Sequence, residues 1–127
     1  MALNILIVDD SCLVRKAIKR IIEMADLDDG KIYEATNGLE ALDVLNKEKI
    51  DLVLSDLNMP EMGGVEMFHR MKTKDKTKSI PVVLVTTESS ITRVKELLED
   101  GVKDYLHKPF TPEEFREIIF HTLEKVK

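Results

Sequence analysis

Two rhythms of apolar and polar residues alternate along the chain. Short apolar-rich runs stand at 3–8, 31–35, 51–56, 81–86 and 104–107. Nearly unbroken runs such as Leu3-Asn4-Ile5-Leu6-Ile7-Val8 are those of strands buried on both faces. Lys31-Ile32-Tyr33-Glu34-Ala35 is weaker and predicts an edge strand. Between the runs the apolar spacing changes to that of helices. Leu13, Ala17 and Ile21 run beside Val14, Ile18 and Ile22, and Leu39, Leu42 and Leu45 mark a second helix. Val65, Phe68 and Met71 mark a third, and Ile91, Val94 and Leu98 a fourth. Phe115, Ile119, Thr122, Leu123 and Val126 mark the last.

The punctuation agrees. Ser11 is placed to cap the first helix, and Asn37-Gly38 opens the second. Asp28-Asp29-Gly30 breaks the chain before the second strand, and Met59-Pro60 with Gly63-Gly64 makes a loop after the third. Gly101 suits the position just past a helix end, and Pro112 the first turn of the next. Five strand–helix units predict a parallel sheet with helices on both faces, an α/β doubly wound fold. Ligands of such folds bind at the carboxyl ends of the strands, where the strand order reverses. The first strand begins three residues in and the last helix reaches the end, so residues 1–127 are expected to form a single domain without an output domain.

Composition narrows the function. The 127 residues are 43% apolar and 34% charged, ordinary for a globular protein, with a net charge of −5. That balance argues against direct nucleic-acid binding, which needs a concentrated basic surface. The single cysteine, Cys12, cannot form an internal disulfide, and with no signal peptide the expected location is the cytoplasm. No apolar stretch is long enough to insert into a membrane.

The chemistry sits where the strands end. Asp9-Asp10 closes the first run, Asp56 the third and Thr86 the fourth, and Lys108 follows the fifth. In a parallel sheet these residues share one edge. Crowded carboxylates resist ionisation unless a cation compensates them, and magnesium sites use one or two carboxylates with waters and a phosphate. Taken singly, each residue has a plainer reading: an acidic cap, a turn aspartate, a solvated lysine, a β-branched strand end. The combination favours a metal and phosphoryl site.

Val8-Asp9-Asp10, Ser55-Asp56-Leu57-Asn58-Met59-Pro60, Val85-Thr86-Thr87-Glu88 and Lys108-Pro109-Phe110 resemble, in order and spacing, the signature segments of response-regulator receiver domains. The resemblance covers essentially the whole chain and is to the stand-alone, chemotaxis-type members. It implies a flavodoxin-like (βα)5 fold of three layers with strand order 2-1-3-4-5. It also implies that Asp56 accepts a phosphoryl group from the phosphohistidine of a sensor histidine kinase or a histidine phosphotransfer domain. Mg²⁺, or Mn²⁺ in its place, would be held by Asp10, Asp56 and the backbone carbonyl of Asn58, with Asp9 acting through water. Lys108 would pair with the Asp56 carboxylate and then with the phosphoryl group. Thr86 would bond a phosphoryl oxygen while Tyr105 moves inward, and Asn58 and Glu88 would tune the hydrolysis that ends the signal. The surface of helix four, strand five and helix five would then bind a downstream protein, a flagellar motor component in chemotaxis-type members.

The same resemblance leaves a second role open, a phosphorelay intermediate that docks a histidine phosphotransfer protein through Leu13, Arg15 and Lys16. An aspartyl-phosphate hydrolase of the haloacid dehalogenase type would carry Asp where Asn58 stands, and a flavin phosphate would be repelled by Asp9-Asp10-Ser11. A receiver that has lost phosphorylation would not keep every residue of the site. His69, His107 and His121 lack metal-ligand spacing, Cys12 is expected to be buried or half-buried, and Phe120 is expected to be exposed. Gly63-Gly64, where many relatives have one acidic or small residue before glycine, is expected to loosen the loop after Asp56.

Overall fold

The computed structural model describes residues 3–24, 30–87 and 91–126, with side chains at 3–24, 30–87 and 92–122. Strands and helices alternate as β1 (Ile5–Val8), α1 (Cys12–Met24), β2 (Ile32–Ala35), α2 (Gly38–Lys47) and β3 (Leu52–Ser55), followed by α3 (Gly64–Lys72), β4 (Val82–Thr86), α4 (Ile91–Glu99), β5 (Asp104–His107) and α5 (Pro112–Val126). The five strands pair in parallel in the order β2-β1-β3-β4-β5, so the expected topology is present.

Side chains of a strand point alternately to opposite faces, and both faces here are covered. Leu6, Val8, Val53, Val82 and Leu84 pack with Ala41 and Leu45 of α2, Met67, Phe68 and Met71 of α3, and Leu97 of α4. Ile5, Ile7, Leu52, Leu54, Val83, Val85 and Leu106 pack with Ile18 and Ile22 of α1 and Phe115 and Ile119 of α5. This explains the unbroken apolar runs: neither face of a central strand meets water. The right-handed rule for parallel crossovers sends α1 and α2–α4 to opposite faces, because the chain leaves β1 in one direction and β2 in the other. Removing the fully buried Phe115 ring would cost about 3–5 kcal/mol.

The caps hold the helices where the site needs them. Ser11 Oγ accepts from Val14 N at 3.2 Å, and Asn37 Oδ1 accepts from Glu40 N at 2.9 Å. At α5, Thr111 Oγ1 accepts from Glu114 N while Thr111 N donates to Glu114 Oε1, each at 3.1 Å. That reciprocal capping box went unread in the sequence. Gly101, just past α4, has φ 114°, a left-handed conformation that suits glycine.

Several packing expectations change. Leu13 is 79% exposed and Ala17 is exposed, so α1 buries Ile18 and Ile22, with Val14 and Ile21 half-buried beside them. On α2, Leu39 is exposed while Ala41 and Leu45 are buried, and on α4 Leu97 faces the sheet in place of Leu98. Spacing of three and of four are both helical, and only the facing element decides which stripe is covered. Cys12, in the first turn of α1, is exposed and neither buried nor half-buried. Phe120 is exposed, as expected. Asp28 and Asp29, and the side chains of Ile91, Leu123 and Val126, lie outside the described residues. None of the described helices is long and apolar enough to cross a membrane.

Candidate functional site

The predicted acidic residues, Thr86 and Lys108 lie at or just past the carboxyl ends of strands, whereas Tyr105 lies within β5. Asp9 and Asp10 follow β1, Asp56 follows β3, Thr86 ends β4, and Lys108 follows β5. Backbone pairing carries the sheet's register into the loops. Asp9 N donates to Ala35 O at 3.0 Å, Asp56 N to Val8 O at 2.9 Å, and Lys108 N to Thr86 O at 2.9 Å. Residues far apart in sequence are thereby fixed along one edge.

Oxygen atoms of Asp9, Asp10 and Asp56 all lie within 4.8 Å of one another. Their surroundings differ. Asp9 is only 2% exposed; its Oδ1 accepts from Ser11 N and its Oδ2 from Lys108 Nζ, both at 2.9 Å. Asp56 is 15% exposed, and its Oδ1 accepts from Leu57 N at 2.7 Å. Asp10 is exposed, and no described residue donates to its carboxylate. The expected pairing of Lys108 with Asp56 is looser than its bond to Asp9: Nζ lies 3.5 Å from Asp56 Oδ2 and 2.9 Å from Asp9 Oδ2. Before any phosphoryl group arrives, the ammonium therefore serves both carboxylates and favours the buried one. The Lys108–Pro109 peptide is cis.

Thr86 is buried at the end of β4, in register with His107. Tyr105 on β5 is half-buried, lies in register with Leu84, and packs against the core cluster of α2, α3 and α4. Asn58 is exposed on the loop two residues past Asp56. Glu88 lies outside the described residues.

The glycine pair behaves differently from the expectation of a loose loop. A Cβ on Gly64 would meet Asp56 O at 2.3 Å, and one on Gly63 would meet Leu57 O at 2.6 Å. Gly64 N also donates to Leu57 O at 2.9 Å. The two glycines let the start of α3 close onto the Asp56–Leu57 backbone, which tightens the loop. The same loop is braced against α2, where Gly38 N donates to Met62 O at 2.8 Å.

Arg15 was missed as part of the site. Its side chain is only 12% exposed and turns inward. Nη1 donates to the backbone carbonyl of Asp9 at 2.7 Å and Nε to Glu34 Oε1 at 2.9 Å. It is thus not a surface contact for a docking protein, while Leu13 and Lys16 beside it are exposed. The signal in the sequence was faint: an arginine in the first turn of the helix that follows the acidic pair. His69 lies 3.6 Å from Asp100 and His121 3.5 Å from Asp104, both at the surface, while His107 is exposed at the end of β5 in register with Thr86.

Three carboxylates around one ammonium form an oxygen-only donor set of the kind that suits Mg²⁺ or Mn²⁺. Comparison with known proteins points the same way. The family model of the response regulator receiver domain matches residues 5–120. The chain is 38% identical over 116 residues to a chemotaxis protein CheY homolog of Campylobacter jejuni, covering 91% of this chain and 88% of that protein. It is 42% identical over 121 residues to histidine kinase P4 of Formosa agariphila, covering 95% of this chain but 8% of the kinase. Among solved structures, the chemotaxis response regulator CheY4 of Vibrio cholerae superposes with a TM-score of 0.80 at 31% identity, with both chains fully covered. With the strand order, the clustered carboxylates and these likenesses in agreement, the chain belongs to the response regulator receiver domain family of two-component signalling proteins.

Proposed function

We propose that this protein is a phosphorylation-activated switch in which Asp56 accepts a phosphoryl group and the surface of α4, β5 and α5 transmits the change. The observation that supports this most is the convergence of Asp9, Asp10 and Asp56 within 4.8 Å beside Lys108. A carboxylate oxygen of Asp56 attacks the phosphorus of a phosphohistidine on a sensor kinase or phosphotransfer domain. The phosphorus–nitrogen bond breaks, its electron pair stays on the imidazole, and the ring takes up a proton. Phosphoryl transfer of this kind depends on positioning and charge neutralisation more than on covalent help.

Asp10, Asp56 and the backbone carbonyl of Asn58 would hold Mg²⁺ or Mn²⁺, with Asp9 acting through water. When bound, the ion neutralises charge on the transferring phosphoryl oxygens. Lys108, already beside Asp56, turns to the phosphoryl group once the acceptor carboxylate has become an acyl phosphate. The Thr86 hydroxyl bonds a phosphoryl oxygen, and Tyr105 follows it inward. The signal ends when water attacks phosphorus, which returns the Asp56 carboxylate and releases phosphate. Asn58 and Glu88 tune that step. The protein catalyses nothing beyond its own phosphorylation and dephosphorylation.

In this reading the chain is one receiver unit that works by binding proteins in the cytoplasm. A chemotaxis-type target, such as a flagellar motor component, is favoured by the chemotaxis relatives. The likeness to a segment of a histidine kinase favours, as a second reading, a phosphorelay intermediate that hands its phosphoryl group to a histidine phosphotransfer protein. The deciding experiment is intact-mass spectrometry after incubation with a small acyl-phosphate donor and Mg²⁺. One phosphoryl adduct is expected in the parent, with none in Asp56→Asn and none without the metal. An adduct that persists in Asp56→Asn would refute the acceptor assignment.

A further inference from the structure

Asp10 and Asp9 are adjacent, yet they are held in opposite ways. The Asp9 side chain is clamped by Ser11 N and Lys108 Nζ, and its N–H by Ala35 O. Asp10 has no such clamp: its carboxylate is exposed and receives no hydrogen bond from any described residue. Its place among the three carboxylates is therefore set by its backbone, and that backbone begins with the peptide joining Asp9 to Asp10. The carbonyl of this peptide accepts from Arg15 Nη1 at 2.7 Å.

Arg15 is well built to hold it. The side chain is mostly buried, and its Nε is anchored to Glu34 Oε1 on the edge strand β2 at 2.9 Å. Arg15 N bonds Ser11 O at 3.0 Å within the first turn of α1, so the guanidinium is fixed at both ends of its stem. A planar fork with two anchored nitrogens leaves the guanidinium little freedom, which a lysine cannot match.

From this geometry we infer that Arg15 is a positioning residue for the metal site: it fixes the Asp9–Asp10 peptide so that the Asp10 carboxylate stands ready to bind the divalent cation. The inference rests on the metal-binding reading above. Residues that orient a metal ligand from behind, when replaced, typically cost 10–100-fold in metal affinity. Charge makes the direction of the effect diagnostic. Arg15 is a cation near a cation site, so if it acted only through its charge, neutralising it would tighten Mg²⁺ binding. If it acts by positioning, neutralising it weakens binding.

The test is calorimetric titration of the unphosphorylated full chain with Mg²⁺, for the parent, Arg15→Gln, Arg15→Lys and Ile119→Val. Ile119→Val trims a buried side chain of α5 and reports what a loss of stability alone does to the affinity. Arg15→Gln is expected to weaken Mg²⁺ binding about tenfold. Arg15→Lys, at constant charge, is expected to show a smaller loss of the same sign, and Ile119→Val none. Tighter or unchanged binding in Arg15→Gln overturns the inference, as does an equal loss in Ile119→Val. Should Arg15→Gln fail to fold, parent-like affinity in Arg15→Lys overturns it. No Mg²⁺ binding in the parent would refute the metal-binding reading and this inference with it. Binding in the parent that Arg15→Gln leaves intact would refute the inference alone.

Discussion

Lys108 Nζ sits 2.9 Å from Oδ2 of Asp9, a residue 99 positions earlier in the chain. Asp9 is the one buried ionisable side chain among the described residues, and Lys108 is the only cation there that pairs with its carboxylate. The lysine proposed to act in phosphoryl transfer therefore also compensates a buried charge. Removing one partner of such a pair leaves the other uncompensated, at a cost of about 3 kcal/mol. Lys108→Met should accordingly lose both stability and phosphorylation. Urea unfolding without Mg²⁺ checks the first, and an unchanged midpoint would show that Ser11 N alone satisfies Asp9.

Carboxylates within 4.8 Å repel one another, and exposed Asp10 contributes to that repulsion without a bond in return. Asp10→Asn should raise the stability of the metal-free protein by about 1 kcal/mol, the scale of a surface charge pair at this separation. Mg²⁺ should stabilise the parent by about 2.7 kcal/mol at a hundredfold excess over its dissociation constant. Asp10→Asn should lose most of that gain. Thermal melts with and without Mg²⁺ measure both, and a parent melting temperature indifferent to Mg²⁺ would refute the metal assignment.

Thr86 and Tyr105 lie on neighbouring strands and are proposed to move together. The chain has no tryptophan and two tyrosines, so Tyr33→Phe leaves Tyr105 as the sole strong fluorophore. Its emission should change when an acyl-phosphate donor is added with Mg²⁺. Adding Thr86→Ala should remove the change while leaving the phosphoryl adduct detectable by mass. A Tyr105 signal that survives Thr86→Ala would uncouple the two residues.

Glu40 titrates below the ordinary glutamate range, chiefly because its carboxylate accepts from Thr36 N, with further help from the Arg15 charge. A carboxyl held below its unfolded value stabilises the fold above that value, and the contribution fades as pH falls through the folded one. Glu40→Gln should therefore flatten the acid limb of the stability curve without altering its shape near neutrality. Asn37→Ala, which removes the cap that accepts from Glu40 N, should cost about 1 kcal/mol at neutral pH. Urea midpoints across acid and neutral pH decide both.

Thr122 Oγ1 is buried on α5 without a hydrogen-bond partner among the described residues. Burying an unsatisfied hydroxyl costs roughly 1–3 kcal/mol. Thr122→Val keeps the branched shape and removes the hydroxyl, so it should raise the melting temperature. A lower one would mean that the hydroxyl is satisfied in solution.

Much of this protein is local in origin and so was legible in one dimension. Unbroken runs such as Ile5-Leu6-Ile7-Val8 declare a strand covered on both faces, and Ser11, Asn37 and Pro112 declare helix starts, because period and capping act within a few residues. Parallel strands then bring their carboxyl ends to one edge, so Asp9, Asp10, Asp56, Thr86 and Lys108 could be named as a group before their distances were known. Other features belong to contacts across elements. Whether Leu97 or Leu98 faces the sheet, and that Leu13 faces water, depends on which neighbour covers the helix, since either spacing is helical. That Lys108 favours Asp9 over Asp56, that Gly64 closes onto the Asp56 carbonyl, and that Arg15 grips the Asp9–Asp10 peptide are matters of fractions of an ångström between segments. The pattern of residues determined the elements and named the acidic residues, Thr86 and Lys108 that the strand ends bring together, but not Arg15. Tertiary packing alone decided which charge rests on which, because a hydrogen bond is chosen by the direction and reach of two side chains and not by their spacing along the chain.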